Sequence, residues 1–102
     1  MKGNSVFNLS LNKIEFIHIC LMLIESVKNK IKELHCGGSK EERALCFIKI
    51  LESHNLIKDF QKIYPEIHTL YDLEDDVEKI KKMQYYYFNI AKESGFAYEH
   101  LI

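Results

Sequence analysis

NKIEFIHICLMLIESVKNKIKELHCGGSKEE, residues 12–42, is the stretch that decides the fold. Asn12 with Glu15 three positions on has the form of a capping box, in which each side chain satisfies a backbone N–H that the first turn of a helix leaves unpaired. From there Phe16, Cys20, Leu23, Val27, Ile31 and Leu34 recur at spacings of three and four, the period at which an α-helix returns to one face. Gly37 and Gly38 stop that helix, and Ser39 with Glu42 forms a second capping box directly behind them. Two helices joined by so short a turn pack as antiparallel neighbours.

Working outward, the first helix is expected over 12–35, preceded by an N-terminal arm at 1–11 whose Leu9 and Leu11 can pack on the bundle. Ile17 and Ile24 widen its stripe. Ile14, Ile19, Leu21 and Met22 make its N-terminal half apolar nearly all round, so that half is either the central helix of the bundle or part of a dimer interface. In the second helix Ala44, Phe47, Ile48 and Leu51 share a face. Leu56, Ile57, Phe60 and Ile63 then fall on another, with Ser53, His54 and Asn55 between. That change of phase predicts a kink or break near Asn55 and pieces at about 40–53 and 55–63. Pro65 forces Tyr64 out of the α region and ends the second piece near 63. Thr69 is the expected cap of a third helix over 70–94, with Leu70, Leu73, Val77, Ile80, Tyr87 and Ala91 as its stripe, Gln84 interrupting it and Gly95 in the C-cap role. A short C-terminal tail follows.

Composition agrees with this pattern. A chain of 102 residues supports one small core, so residues 1–102 are read as a single domain. Its 47% apolar and 28% charged residues are ordinary for a globular protein. One Pro and 4 Gly are too few for the many tight turns of an all-β fold. The expected class is therefore all-α, a compact bundle of three to four helices.

The charge balance narrows the partners. Net charge is −1, and Arg43 is the only arginine among 14 basic side chains; a chain nearly without guanidinium groups lacks the side chain best suited to phosphates and base edges, which disfavours nucleic acid. The apolar run Phe16 to Ile24 contains His18, is followed by Glu25, has no small-residue cleavage site and is too short to span a bilayer, so neither a targeting segment nor a membrane span is expected. Cys20, Cys36 and Cys46 are odd in number, and two of them sit in apolar helical stretches, as reduced thiols of a cytoplasmic protein do.

Candidate chemistry is sparse. Glu15 and His18 have the Glu-x-x-His spacing with which ferritin-like bundles hold iron, but such a site requires a second copy and two more inward glutamates, and the chain has neither. His18 and Cys20 point about 200° apart on a helix and cannot share a metal. His35, Cys36 and Cys46 can make at most a partial set at a helix end. No local signature marks a cysteine nucleophile, and the acids of 72–78 lack the ligand spacing and turn glycine of a calcium loop. No catalytic residue, metal or cofactor is expected.

The segment from Leu70 to Phe88 carries what remains. Asp72, Asp75, Asp76 and Glu78 gather carboxylates in its first half, while Tyr85, Tyr86 and Phe88 supply more aromatic surface than the helix stripe requires, to be covered by the tail residues Phe96, Tyr98, Leu101 and Ile102, by a second copy of the chain or by a partner. Acids steer a basic partner and aromatic side chains anchor it. The expectation is a small non-enzymatic protein-binding module, of the kind used as inhibitor, immunity protein or antitoxin, whose partner is another protein with a basic surface; a homodimer is a further possibility. The alternative is a small metal-binding protein or enzyme using Glu15 and His18, or His35 and Cys36.

Overall fold

The computed structural model describes the backbone of residues 2–102 and the side chains of residues 12–102. Four α-helices follow in order: α1 (Lys2–Cys36), α2 (Lys40–Ile63), α3 (Glu74–Lys81) and α4 (Gln84–Ser94). Short 3₁₀ turns occupy Pro65–Thr69 and Glu99–Leu101, and the described residues contain no strand. The fold is an all-α bundle of the expected class.

Several stops lie where local chemistry puts them. Gly37 and Gly38 take φ values of 100° and 102°, open to glycine at little cost, and turn the chain between α1 and α2. Ser39 then caps α2, its hydroxyl accepting from the Glu42 amide at 3.1 Å. Tyr64 leaves the helical region (φ −126°, ψ 86°) ahead of Pro65, and α2 ends at Ile63. At the end of α4, Gly95 adopts a left-handed conformation while the Phe96 and Gly95 amides return to the Ala91 and Lys92 carbonyls. That arrangement is a Schellman motif.

Four expected boundaries are corrected. First, α1 does not begin at Asn12 but continues back to Lys2, so 2–11 belongs to the helix instead of forming a separate arm, and Asn12 with Glu15 lies inside it; the packing expected of Leu9 and Leu11 lies outside the described side chains. Second, α2 is unbroken through Asn55. Its buried set includes Phe47, Ile50, His54, Ile57 and Gln61, a stripe at steps of three and four that never changes phase. The apparent kink arose because His54 and Gln61 are polar, yet they are 2% and 3% exposed. Leu56 and Ile63, which suggested a second face, point to solvent.

Third, Thr69 does not cap a helix. Its hydroxyl donates back to the Glu66 carbonyl at 2.8 Å and closes the 3₁₀ turn, and the third helix starts only at Glu74. Fourth, the expected helix over 70–94 is two helices. Lys82 and Met83 form a tight turn in which the Met83 amide bonds to the Ile80 carbonyl at 2.9 Å, an i to i+3 contact that overwinds and ends α3. Neither residue is Gly or Pro.

The centre of the bundle is α2: α1, α3, α4 and both 3₁₀ turns all make their principal contacts with it. The N-terminal half of α1 is therefore not the central helix, and Ile14, Ile19, Leu21 and Met22 remain exposed. Toward α2, α1 presents Cys20, Val27 and Leu34 as buried residues, with Leu23, Ile24 and Ile31 half-buried beside them. Phe47 is the largest fully buried side chain; its ring stacks on Tyr87 at 4.9 Å and meets Phe88 edge-on at 5.7 Å. Two polar groups interrupt this apolar interior. The Gln61 amide finds no hydrogen-bond partner among the described residues, a condition that costs about 1–3 kcal/mol per group.

Truncating the central ring tests this packing. Phe47→Ala is expected to destabilise the fold by about 3–5 kcal/mol in urea or thermal unfolding. Met22→Ala, at a side chain 73% exposed on α1, is expected to stay within about 0.5 kcal/mol of the parent.

Candidate functional site

The acidic half of the expected surface forms around the start of α3. No side chain caps this helix at Leu73, and its first turn carries Glu74, Asp75 and Asp76, whose negative charge suits the positive end of the helix dipole. Asp72, in the preceding turn, Asp75, Asp76 and Glu78 are all exposed. Their pairing differs. Glu74 is bonded to Lys58 of α2, whose ammonium holds the carboxyl below its ordinary range. Glu78 lies 3.7 Å from both Lys81 and the ring of His54. Asp72, Asp75 and Asp76 have no cation within ion-pair distance among the described residues, so the pairing of Asp75 with Lys79 that helical spacing permits does not form.

The aromatic half divides at α4. Tyr85 is 82% and Tyr86 51% exposed, whereas Phe88 is drawn inward between Phe47 and the stacked ring of Tyr98 at 5.2 Å. The C-terminal tail thus covers Phe88. It is held there by Leu101 against the core and by a 2.7 Å contact of His100 Nε2 with Glu52. Because Lys82 and Met83 break the helix, acids and tyrosines sit on two elements instead of one. Between α3 and α1 lies a cleft of about 290 Å³ lined by Ile31, His35, Asp76, Lys79, Ile80 and Met83, which brings Asp76 next to apolar floor residues that spacing along one helix does not reveal.

A second polar cluster was not visible in the sequence. His54 of α2 and Tyr71, in the turn after the first 3₁₀ segment, are both buried, with His54 Nδ1 2.6 Å from the Tyr71 hydroxyl. Burial, with Glu74 next in weight, pushes the Tyr71 phenol well above its ordinary value, so its O–H stays protonated and donates to Nδ1. That bond assigns the proton of neutral His54 to Nε2, which faces Glu78. Burial also lowers the His54 value below 6.5, and nearby Lys81 works in the same direction. The two residues stand 17 positions apart, and a histidine between two apolar runs resembles a loop signal until the helix is seen to continue.

The residues of the alternative reading do not converge. Glu15 with His18 and His35 with Cys36 are exposed pairs near opposite ends of the described part of α1, and no three His, Cys, Asp or Glu side chains among the described residues are grouped to hold a metal ion. All three cysteines are free. Burial raises the Cys20 and Cys46 thiols, which favours the unreactive protonated form, and the Cys46 thiol donates to the Lys30 carbonyl at 3.0 Å. No described helix is long and apolar enough to cross a membrane.

Tyrosine-selective nitration checks the division of the aromatic set. Tyr85 is expected to react first and Tyr86 next, while Tyr71 and Tyr87, each 4% exposed, stay unmodified until the chain unfolds; nitration of Tyr71 or Tyr87 ahead of Tyr85, read by peptide mass spectrometry, would contradict this placement. Comparisons with protein-family models, with curated proteins and with solved structures give no match to this chain.

Proposed function

We propose that this chain is a small non-enzymatic protein-binding module, of inhibitor, immunity or antitoxin type, that engages a basic protein surface through Asp72, Asp75, Asp76 and Glu78, with Tyr85 and Tyr86 as anchors. One observation carries the reading: three neighbouring carboxylates lack a cation among the described residues, and two exposed tyrosines follow close behind them in the chain. Unpaired like charges repel one another, so holding them together destabilises the free protein and favours a partner that neutralises them. Tyrosine adds contact area and a polar tip at small entropic cost. Phe88 leaves the proposed contact set because the tail covers it.

The division of labour follows from range. Exposed carboxylates act over about a Debye length and set the encounter rate, whereas the rings act only in contact and set the lifetime. A second copy of the chain is the other reading, favoured by the bare outer side of α1, where Ile14, Ile19, Leu21 and Met22 are 53%, 44%, 42% and 73% exposed.

A partner captured on the intact protein tests the proposal once its binding to variants is measured. Asp75→Lys is expected to slow association several-fold at low salt and to flatten its salt dependence. Tyr86→Ala is expected to shorten the lifetime about tenfold, equivalent to about 1.4 kcal/mol. Parent-like binding by both variants, each first shown to be folded, would place the contact elsewhere, and a concentration-dependent dimer lost on Leu21→Lys would favour the second reading.

A further inference from the structure

The contact between α3 and α2 rests on a polar cluster with one proton-sensitive member. His54 is buried on α2, accepts the Tyr71 hydroxyl proton through Nδ1 at 2.6 Å and directs Nε2 toward Glu78 at 3.7 Å. On the same side, Lys58 of α2 holds Glu74. Beyond these polar ties, the segment is anchored by the buried Tyr71, Val77 and Ile80, with Leu73 half-buried beside them, a smaller apolar contact than the long α1–α2 interface.

We propose that the segment from Tyr71 to Lys81 is a pH-sensitive latch, which neutral His54 holds on α2 and protonated His54 releases while α1, α2 and α4 stay packed. The chemistry is specific to this geometry. An added proton at Nδ1 obliges the Tyr71 hydroxyl to accept where it had donated, and the buried phenol proton then has no other partner among the described residues. The imidazolium would also lie in a site where Glu78 and Glu74 favour the charge, Lys81 and Lys58 oppose it and burial opposes it most. From α1, Cys20 bears on Tyr71, and burial keeps its thiol protonated. Releasing α3 lets water reach the cation.

The direction with pH follows from linkage. His54 titrates below its ordinary value of 6.5 when latched, so the released segment binds a proton that the latched one excludes. The latch is fully engaged above about pH 6.5 and weakens as pH falls through the lower, latched value. Because Asp72, Asp75, Asp76 and Glu78 ride on this segment, release would also dismantle the proposed binding surface, though the latch does not require that surface to have a partner.

Hydrogen exchange of the intact protein, corrected for intrinsic rates and followed from pH 7.5 to 5.0, tests the proposal. Peptides covering 71–81 are expected to lose protection at least tenfold on acidification while those covering 44–51 keep theirs. Tyr71→Phe removes the donor that favours the neutral ring and is expected to move the midpoint to higher pH. Glu78→Gln removes a charge that favours the cation and is expected to move it lower. His68→Gln, near Glu74, is expected to leave it unchanged. Unchanged protection of 71–81 at pH 5.0, opening of 71–81 and 44–51 together, a midpoint that ignores Tyr71→Phe and Glu78→Gln, or one that follows His68→Gln would each overturn the latch.

Discussion

The structure depends on a single stripe along α2. Ala44, Phe47, Ile50, Leu51, His54, Ile57 and Gln61 form one continuous buried ridge, and every other element lies against it. A three-layer bundle shares its core among several helix pairs; here the helices surrounding α2 have one principal neighbour each, so α2 must stay straight for all of them to dock. A bend at Asn55 would rotate Ile57 and Gln61 away from the interior and withdraw the surface that receives the turn around Ile67 and Tyr71.

Polar members of that stripe explain both its role and its disguise. His54 is affordable in the core because Tyr71 satisfies Nδ1, turning a buried polar group into a specific tie between α2 and the segment that leads to α3. Gln61 lacks such a partner among the described residues. The two together make α2 read as a broken helix when only apolar residues are counted, since Leu56, Phe60 and Ile63 then set the phase. A helix stripe is defined by position, and a satisfied histidine occupies a core position as a hydrophobic residue does.

What the sequence made legible is what local chemistry decides. Ser39 at a cap, glycines at positive φ, Tyr64 ahead of Pro65 and the Gly95 stop each act within a few residues, and the all-α class follows from them together with the apolar period. The break at Lys82 and Met83 left no trace, because it uses no Gly or Pro and the buried positions Val77, Ile80, Tyr87 and Ala91 keep helical spacing across it. Of the candidate surface, the outward phase of Asp72, Asp75 and Glu78 was readable from helical spacing, whereas Tyr85 and Tyr86 were readable only as apolar surface beyond the stripe, exposed or covered. The tail with Tyr98 was one of three covers that the excess of aromatic residues admits, and the structure selects it for Phe88; the meeting of His54 with Tyr71 across a chain reversal left no trace.

The continuity of α2 is the claim on which the rest stands, and backbone NMR of the intact protein measures it residue by residue. A continuous α2 is expected to give helical ¹³Cα shifts from Ile50 to Gln61 without interruption, protected amides at Ser53, His54 and Asn55, and cross-relaxation between the His54 and Tyr71 rings. Coil-like shifts and rapidly exchanging amides at Ser53–Asn55 would show two helices in place of one and contradict it.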